Sequence, residues 1–306
     1  MQKILVILGP TASGKSEVAV ELAKQFNGEI VSADSRQVYK GLDIGTGKIT
    51  KKEMQGVPHY LLDVVSLKKQ FSVSDYKKLA DKAIDKILKK NKLPIICGGT
   101  GLYIDALLGK INIPEVPPNP KLRKQLESKP VAELFNILRN LDPERAGNID
   151  AKNPRRLIRA IEIALAGPHS TSPSGRVSRG NTLKYNVLKI GIKIEEKNLK
   201  EKINKRIGGW MKKGLVKEVQ NLHKGGLSWK RMEEIGLEYR LVALYLQNKI
   251  TKEKLIDRIQ IETWQYAKRQ MTWFKRTVRQ GGGDKKIIWL PPNISKMKSE
   301  VKKFIK

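Results

Sequence analysis

ILVILGPTASGKSEVAVELAKQF, residues Ile4–Phe26, combines a strand pattern, a glycine-rich turn and a helix pattern. Its first part, Ile4–Leu8, is an apolar run that predicts a buried strand, and apolar residues four apart from Val18 to Phe26 predict an amphipathic helix. Between them, Gly9–Ser16 (GPTASGKS) matches the phosphate-binding pattern G-x-x-x-x-G-K-[ST]. Because a strand precedes the pattern and a helix follows it, we predict a loop that binds a diphosphate or a triphosphate.

The residues of this loop have separable roles in holding an anion. The glycines let successive backbone N–H groups face the phosphate, and the helix N-terminus adds partial positive charge. Lys15 is expected to reach the phosphate oxygens, and the Ser16 hydroxyl is expected to ligate Mg²⁺, which is the predicted cofactor. The loop recognises oxygens and charge, so the pattern does not identify the group that the phosphates carry. The predicted diphosphate-binding residues are Gly9, Pro10, Thr11, Ala12, Ser13, Gly14, Lys15 and Ser16.

Short apolar runs alternate with helical patterns through the first hundred residues. Glu29–Ser32 and Pro94–Cys97 are further strand candidates, and a helical period occupies residues 73–90 between them. This alternation predicts an α/β fold with a parallel sheet, here a P-loop NTPase-like core.

Prolines at residues 114, 117, 118 and 120 end this alternation, because proline cannot donate the backbone hydrogen bond that regular elements need. We place a domain junction there. Later helical patterns lie at 122–141, Pro154–Leu165, Leu199–Leu222, Ile235–Gln247 and Lys252–Arg279, and a strand pattern lies at Val187–Ile194. The predicted domains are a first core part at 1–113, a mostly helical inserted domain at 114–184, and a second core part at 185–306 whose basic C-terminal helices pack on the core.

Composition narrows the class of protein. The chain of 306 residues has 61 Lys and Arg against 30 Asp and Glu, a net charge of +31, and its 40% apolar content excludes a disordered basic tail. Such charge favours a nucleic-acid partner, and a lineage bias toward lysine is the alternative. The apolar run that ends at Leu8 is far shorter than the roughly 18 residues of a membrane span. A single cysteine, Cys97, excludes an intrachain disulfide, and we expect a cytoplasmic monomer with no membrane partner.

Asp34 comes directly after the second strand candidate, at the sheet edge where open α/β proteins bind ligands. This position makes Asp34 a candidate general base. A turn or a helix cap is the structural alternative, because Asp commonly provides either.

Five blocks along the chain point to one family. They are GPTASGKS at Gly9–Ser16, DSRQVYKGLDIGTGK at Asp34–Lys48, HYLLD at His59–Asp63, GGTGLY at Gly98–Tyr103 and AKRQMTWFKR at Ala267–Arg276. In this order they resemble the tRNA dimethylallyltransferase family, also called the tRNA isopentenyltransferases.

The resemblance implies transfer of a dimethylallyl group from dimethylallyl diphosphate to N6 of adenosine 37, in tRNAs reading codons that begin with U. N6-dimethylallyladenosine and diphosphate would be the products. It implies three catalytic residues: Asp34 as the general base, and Lys15 and Arg206 as cations for the leaving diphosphate. Arg206 precedes Gly214-Leu215-Val216-Lys217-Glu218-Val219, which is similar to the family's segment after its diphosphate arginine.

The resemblance also implies a set of contacts to the tRNA anticodon stem-loop. Basic side chains on the predicted helix at 154–165 share a face when they are four apart, and pairing with Glu162 is the alternative role for them. Trp264 stands where the family commonly has an arginine, and Ile235–Tyr239 replaces its usual I-G-Y segment. The implied tRNA-binding residues are Asp34, Ser35, Arg36, Gln37, Thr100, Arg123, Arg155, Arg156, Arg159 and Arg269.

Three other functions share part of this pattern. A small-molecule or nucleoside kinase would use the same loop to bind ATP, with Asp34 activating a hydroxyl. An inactive RNA-binding protein would account for the charge but leave the intact Gly14-Lys15-Ser16 unexplained. A prenyltransferase acting on free adenylate shares the chemistry, and the basic inserted domain favours a macromolecular acceptor instead.

Overall fold

The structure, a computed structural model, describes residues 1–111, 113–167, 185–279 and 287–306, and for residues 276–279 it describes the backbone only. The described strands are β1 (Gln2–Leu8), β2 (Gly28–Ser32), β3 (His59–Tyr60), β4 (Leu93–Gly98), β5 (Tyr185–Ile192) and β6 (Ile288–Leu290). The described helices are α1 (Lys15–Gln25), α2 (Lys51–Met54), α3 (Val73–Lys89), α4 (Gly101–Leu107), α5 (Pro120–Glu127), α6 (Val131–Leu141), α7 (Pro143–Asn148), α8 (Pro154–Leu165), α9 (Glu196–Lys213), α10 (Leu215–Lys224), α11 (Trp229–Ile235), α12 (Leu237–Leu246), α13 (Lys252–Arg279) and α14 (Ile294–Ile305).

The six strands form one parallel sheet in the order β3-β2-β4-β1-β5-β6. Leu5 of β1 pairs with Ile95 on one side and with Leu188 on the other, so β1 lies inside the sheet. Residues 4–7 of this strand are fully buried, as the unbroken apolar run predicts for a strand covered on both faces. The predicted P-loop-type α/β fold is confirmed, and the carboxyl end of β1 delivers the chain into the phosphate-binding loop.

The chain divides into two compact units. The first unit contains the sheet and consists of Met1–Leu107 together with Lys184–Lys306, and the second consists of Leu108–Leu183. The second unit thus begins at Leu108 rather than at the predicted residue 114. Residues 168–184 of the predicted insert lie outside the described residues.

The second unit has a small apolar core of its own. The helices α5, α6, α7 and α8 surround Leu134, Leu138, Leu157 and Ile161, all fully buried. Asn153 caps α8 by accepting from the Arg156 N–H, and Pro154 occupies the first turn as the sequence predicts.

Two of the predicted helices are each divided in two, and a third begins later than predicted. The pattern at 122–141 is interrupted at Pro130, which has no N–H to donate, and this separates α5 from α6. The pattern at 199–222 is interrupted at Gly214, whose φ of 94° is left-handed and separates α9 from α10. The predicted Ile235–Gln247 helix corresponds to α12, which begins at Leu237 because the extended backbone of Gly236 separates it from α11.

Helices of the second half of the chain pack on the sheet unit. Met297 and Val301 of α14 belong to the apolar cluster that also contains Leu5 and Ile95 of the sheet. A second cluster joins Val38 and Leu42 to the buried faces of α9–α13. Among the described residues, no helix has both the length and the apolar character needed to cross a membrane.

Candidate active site

The phosphate-binding loop joins β1 to α1, as predicted. Gly14 sits at the N-cap of α1 with φ 87°, and Ala12 also has a left-handed backbone with φ 61°. The Ser13 N–H bonds to the Pro10 carbonyl at 3.3 Å, which closes the turn. The Ser13 hydroxyl is fully buried and has no hydrogen-bond partner in the described part of the chain. This backbone produces the concave arrangement of N–H groups that suits an oxyanion.

Lys15 begins α1 and points back over the loop. Its Nζ donates to the Pro10 carbonyl at 3.2 Å, so a backbone oxygen of the loop holds the ammonium. Burial lowers the pKa of Lys15, the cation of Arg206 adds to that effect, and the Asp34 carboxylate opposes it. Arg206 and Asp34 therefore both lie close to the Lys15 ammonium. Ser16 is exposed in the first turn of the same helix.

Arg206 reaches the loop from α9, although 195 residues separate it from Thr11. One guanidinium nitrogen donates to the Thr11 hydroxyl at 3.3 Å, and another donates to the Gly47 carbonyl at 3.2 Å. The guanidinium also lies 5.0 Å from the centre of the Trp210 ring. Burial lowers the pKa of Arg206, whereas the carboxylates of Glu238 and Asp34 raise it. The structure thus brings Arg206 to the loop, where the resemblance implies its role.

Asp34 uses only one of its two carboxylate oxygens to stabilise a turn in the described structure. Its Oδ1 accepts the backbone N–H groups of Arg36 at 2.8 Å and of Gln37 at 3.3 Å. Within the described residues, its Oδ2 accepts no hydrogen bond. The structural alternative from the sequence therefore holds for one oxygen, while the other is available to take a proton.

Thr100 fixes the backbone beside Asp34. Its hydroxyl accepts the Ser35 N–H at 3.1 Å, and its own N–H donates to the Ala33 carbonyl at 3.1 Å. A Cβ at Gly98 would lie 2.2 Å from the same Ala33 carbonyl oxygen, so only glycine allows this close contact between the ends of β2 and β4. Thr100 thus holds the segment that begins at Asp34, and its implied tRNA contact remains a prediction.

Gln270 on α13 is a site residue whose contact the sequence did not reveal. Its Oε1 accepts the Thr11 N–H at 2.8 Å and its Nε2 donates to the Gly99 carbonyl at 3.0 Å. The side chain is buried, and a Cβ at Gly99 would lie 2.1 Å from Nε2. It belongs to the AKRQMTWFKR block, but the sequence gives no signal for its partners.

Glu238 adds a second carboxyl group to the surroundings of Asp34. Burial raises the pKa of Glu238 to about 7, and the neighbouring cations of Arg206 and Arg36 limit the rise. Tyr266 of α13 lies in the same region, because the charges of Asp34, Arg36 and Glu238 all act on its phenol, whose pKa burial raises above the ordinary value. In the sequence, Ile235–Tyr239 stands out only as a departure from the family pattern, and nothing local indicates this carboxyl group at the site.

The arginines of the second unit divide into two kinds. Arg123 and Arg159 both bond to the carboxylate of Glu162, whose side chain is 2% exposed. Burial alone would raise the pKa of Glu162, but hydrogen bonds from Arg123, from the Asn119 N–H and from Arg159 bring it down to about 2. The alternative role given to this helix in the sequence analysis is thus present. Arg155 and Arg156 are exposed, and Arg156 lies 4.0 Å from Asp150.

The exposed face of α13 is basic, with aromatic rings between the cations. Arg269 is exposed beside the Tyr266 ring, at 5.9 Å. Lys200 and Lys268 lie 4.8 Å and 5.3 Å from the centre of the Trp264 ring. The Trp264 ring thus contacts two lysine side chains at a position where the family commonly has an arginine. This face suits a nucleic acid, because the cations can contact its phosphates and the aromatic rings can stack on its bases.

The oxygen donors of the loop suit a Mg²⁺ ion that is bound by phosphate oxygens as well as by the protein. Among the described residues, no group of three or more His, Cys, Asp or Glu side chains could hold a metal ion alone. Mg²⁺ commonly takes one or two protein oxygens and completes its shell with phosphate oxygens and water. The exposed Ser16 hydroxyl at the start of α1 can supply one such oxygen.

Comparison with known proteins gives the same family from independent starting points. A family model described as IPP transferase matches residues 37–277. A tRNA dimethylallyltransferase of Acetivibrio thermocellus is 42% identical over 280 residues, which are 90% of each chain. A tRNA dimethylallyltransferase 2 of Treponema denticola is 43% identical over 288 residues, 94% of this chain and 95% of that one.

Solved structures extend the likeness to the fold. The full-length tRNA isopentenylpyrophosphate transferase from Bacillus halodurans is 34% identical with a TM-score of 0.69, and the alignment covers 100% of this chain and 96% of that one. A eukaryotic dimethylallyltransferase acting on tRNA is 26% identical with a TM-score of 0.82, and the alignment covers 99% of this chain and 77% of that one. The resemblance found in the sequence is confirmed, and the chain belongs to the IPP transferase family.

Proposed function

We propose that this protein transfers the dimethylallyl group of dimethylallyl diphosphate to N6 of adenosine 37 in tRNAs reading codons that begin with U. The observation that carries the proposal is the meeting of Lys15, Arg206 and Asp34 at the phosphate-binding loop. Two cations and a carboxylate with a free oxygen are what a diphosphate leaving group and an amine nucleophile require.

The reaction forms a bond between adenosine N6 and C1 of the dimethylallyl group, and it breaks the bond between C1 and the diphosphate oxygen. The exocyclic amine is a weak nucleophile, so its proton must leave as the bond forms. Asp34 Oδ2 accepts that proton, while Oδ1 remains bonded to the backbone of Arg36 and Gln37. The hydrogen bonds to Oδ1 fix the orientation of the carboxylate before substrate arrives.

Lys15 and Arg206 stabilise the departing diphosphate. Both cations are partly buried, so their attraction for the diphosphate is screened less than it would be in water. Lys15 exchanges its bond to the Pro10 carbonyl for a phosphate oxygen, and Arg206 can remain bonded to Gly47 while a second nitrogen contacts the diphosphate. Mg²⁺, held through Ser16, would neutralise further charge on the leaving group when bound.

tRNA binding is assigned to the walls of this site and to the basic surfaces. Adenosine 37 must leave the anticodon stack to reach Asp34, at a cost of a few kcal/mol. Ser35, Arg36, Gln37 and Thr100 form the wall beside it, and the exposed Arg155, Arg156 and Arg269 contact the phosphate backbone. Arg123 and Arg159 contribute through the remaining hydrogen-bond donors of their guanidinium groups. The chain acts as a cytoplasmic monomer.

The test combines purified protein, Mg²⁺, dimethylallyl diphosphate and unmodified tRNA, followed by nucleoside mass spectrometry. Free AMP with the same donor, and ATP with tRNA, are run in parallel. The proposal expects a dimethylallyl mass on adenosine in the tRNA reaction alone. Modification of AMP would overturn the acceptor, and consumption of ATP without prenylation would favour the kinase.

The role of Asp34 is tested with Asp34→Asn, which keeps an acceptor oxygen for the turn but cannot take a proton. We expect loss of about 10² to 10⁴ in turnover, the usual range for a general base, with tRNA affinity unchanged. Asp257→Asn, at an exposed position of α13, is the matched charge control and should retain full activity. Near wild-type turnover of Asp34→Asn would exclude Asp34 as the base.

A further inference from the structure

The loop Asp43–Gly47, sequence DIGTG, is held by one carboxylate. Glu218 on α10 accepts the Ile44 N–H at 2.8 Å and the Asp43 N–H at 3.2 Å through Oε2. Its Oε1 accepts the Gly45 N–H at 3.3 Å and the Tyr239 hydroxyl at 2.8 Å. Four donors thus converge on Glu218, three of them from consecutive residues of the DIGTG loop. A charged acceptor forms stronger hydrogen bonds than a neutral one, so this carboxylate fixes the loop backbone.

The other end of the DIGTG loop holds groups of the active site. The Gly47 carbonyl accepts from Arg206 at 3.2 Å, and Arg206 in turn donates to the Thr11 hydroxyl of the phosphate-binding loop. The Gln37 side chain donates to the Thr46 carbonyl at 3.3 Å and to the Gly47 carbonyl at 3.4 Å. The position of this short loop therefore determines where Arg206 and Gln37 lie.

Two glycines leave the DIGTG loop almost no room to move relative to its partners. A Cβ at Gly47, where φ is +57°, would lie 1.5 Å from a guanidinium nitrogen of Arg206. A Cβ at Gly45 would lie 2.9 Å from the Tyr239 ring. Because the backbone touches Arg206 on one side and Tyr239 on the other, a displacement of the loop displaces the guanidinium.

We propose that Glu218 is a positioning residue for the reaction: it holds the DIGTG loop so that Gly47 aims Arg206 at the diphosphate. The inference rests on the proposed function for the identity of the donor substrate. Within the described ranges, Glu218 itself bonds to the loop backbone and to Tyr239 alone, and it acts through Arg206. A clamp misplaced by about 1 Å can cost roughly a hundredfold in rate, so a distant carboxylate can matter to catalysis.

The first experiment measures binding of inorganic diphosphate with Mg²⁺ to the full chain by calorimetry, which requires no prenyl transfer. Glu218→Gln replaces an acceptor oxygen by an NH₂ group that faces backbone donors. We expect its Kd for diphosphate to rise about tenfold or more, by loss of a correctly placed charged donor. tRNA affinity should be unchanged. Glu233→Gln, an exposed position on α11, is the matched control and should bind diphosphate like the wild type.

A double-mutant cycle distinguishes positioning from general destabilisation. If Glu218 acts through Arg206, Glu218→Gln combined with Arg206→Ala should bind diphosphate no more weakly than Arg206→Ala alone. Additive losses would overturn the proposal, and so would wild-type diphosphate affinity in a folded Glu218→Gln protein. If Glu218→Gln fails to fold, Tyr239→Phe decides: it removes one of the four hydrogen bonds and should weaken diphosphate binding about threefold. Unchanged diphosphate affinity of Tyr239→Phe would then overturn the proposal that Glu218 positions Arg206.

The cycle and the prenyl-transfer assay have separate outcomes. If diphosphate binding depends on Glu218 but the protein prenylates no tRNA, the positioning role of Glu218 stands and the proposed function is rejected. If the wild type prenylates tRNA but Glu218→Gln does not change the KM for the donor, the proposed function stands and the positioning role of Glu218 is rejected.

Discussion

Gln270 accepts a hydrogen bond from the Thr11 backbone at 2.8 Å, across 259 residues of sequence. The same amide donates to the Gly99 carbonyl, so one buried side chain joins α13 to the phosphate-binding loop and to the GGTG turn. The Thr11 N–H is thereby engaged by a side chain of the protein. The helix with the basic face, α13, is consequently hydrogen-bonded directly to the phosphate-binding loop.

Gln270→Leu should therefore damage stability and donor binding together. It leaves the Thr11 N–H and the Gly99 carbonyl without their partner, and each buried unsatisfied group costs about 1–3 kcal/mol. We expect the free energy of unfolding to fall by about 2–4 kcal/mol in urea denaturation. The control is Gln265→Leu, exposed on the same helix, which should change it by less than about 0.5 kcal/mol. Equal stability of the two variants would show that the bridge contributes nothing.

Gly101→Ala tests the close packing of the GGTG turn against α13. A Cβ there would lie 2.1 Å from Trp273, whose indole N–H is anchored to Asp105 at 2.7 Å and cannot move freely. Overpacking of this kind costs about 1–3 kcal/mol, and tryptophan fluorescence should change with it. In Gly208→Ala on α9 a Cβ meets no atom within 4 Å, so this variant should be stabilised by about 0.5–1 kcal/mol. Similar thermal midpoints for both variants would contradict the packing argument.

Arg155→Ala should change tRNA binding without changing stability, whereas Arg159→Ala should lower stability as well. Arg155 is exposed, and in the described part of the chain it has no hydrogen bond or ion pair. Its loss should weaken tRNA binding and reduce the salt slope of log K by about 1, with stability unchanged. Arg159→Ala removes a partner of the buried Glu162 and should lower the free energy of unfolding by about 2 kcal/mol. Filter binding at several salt concentrations and urea denaturation give both quantities, and unchanged tRNA affinity of Arg155→Ala would reject its contact.

Glu238→Gln should alter how stability depends on pH. In the folded protein the pKa of Glu238 is raised to about 7, while an unfolded glutamate titrates near about 4.3. Between these values the folded state binds more protons, so this group makes the wild type less stable as pH rises from about 4.3 to 7. Glu238→Gln removes that contribution, and its stability relative to wild type should be greater at pH 8 than at pH 5. Urea denaturation at both pH values measures the difference, and a difference that is constant with pH would reject the raised pKa.

The strong local patterns predicted the central elements of the fold. The run Ile4–Leu8 identified β1 because five consecutive apolar residues suit a strand covered on both faces, and GPTASGKS identified the turn that follows. β3 and β6 were missed because two and three residues are too few to display a period. Helix breaks were missed at Gly214 and Gly236, since the apolar spacing continues across them while the backbone does not.

The candidate site was predictable where a local motif carries the chemistry. Lys15 ends the loop that follows β1, and Asp34 lies two residues after β2, so the sequence places both at the carboxyl edge of the sheet. Gln270, Glu218 and Glu238 act through contacts made across long sequence separations, and no local spacing encodes such contacts. Family resemblance supplied Arg206, because nothing in the local sequence of α9 indicates that its guanidinium reaches Thr11.

The place of β1 between β4 and β5 has a consequence for synthesis of the protein. The ribosome makes the phosphate-binding loop first, but the neighbouring strand β5 begins only at Tyr185, and Gln270 follows much later. At roughly 5–20 residues per second, the loop emerges tens of seconds before its last partner exists. During that interval one edge of β1 has unpaired backbone groups, which are prone to aggregation. Interrupted translation should therefore yield insoluble fragments rather than a partial enzyme.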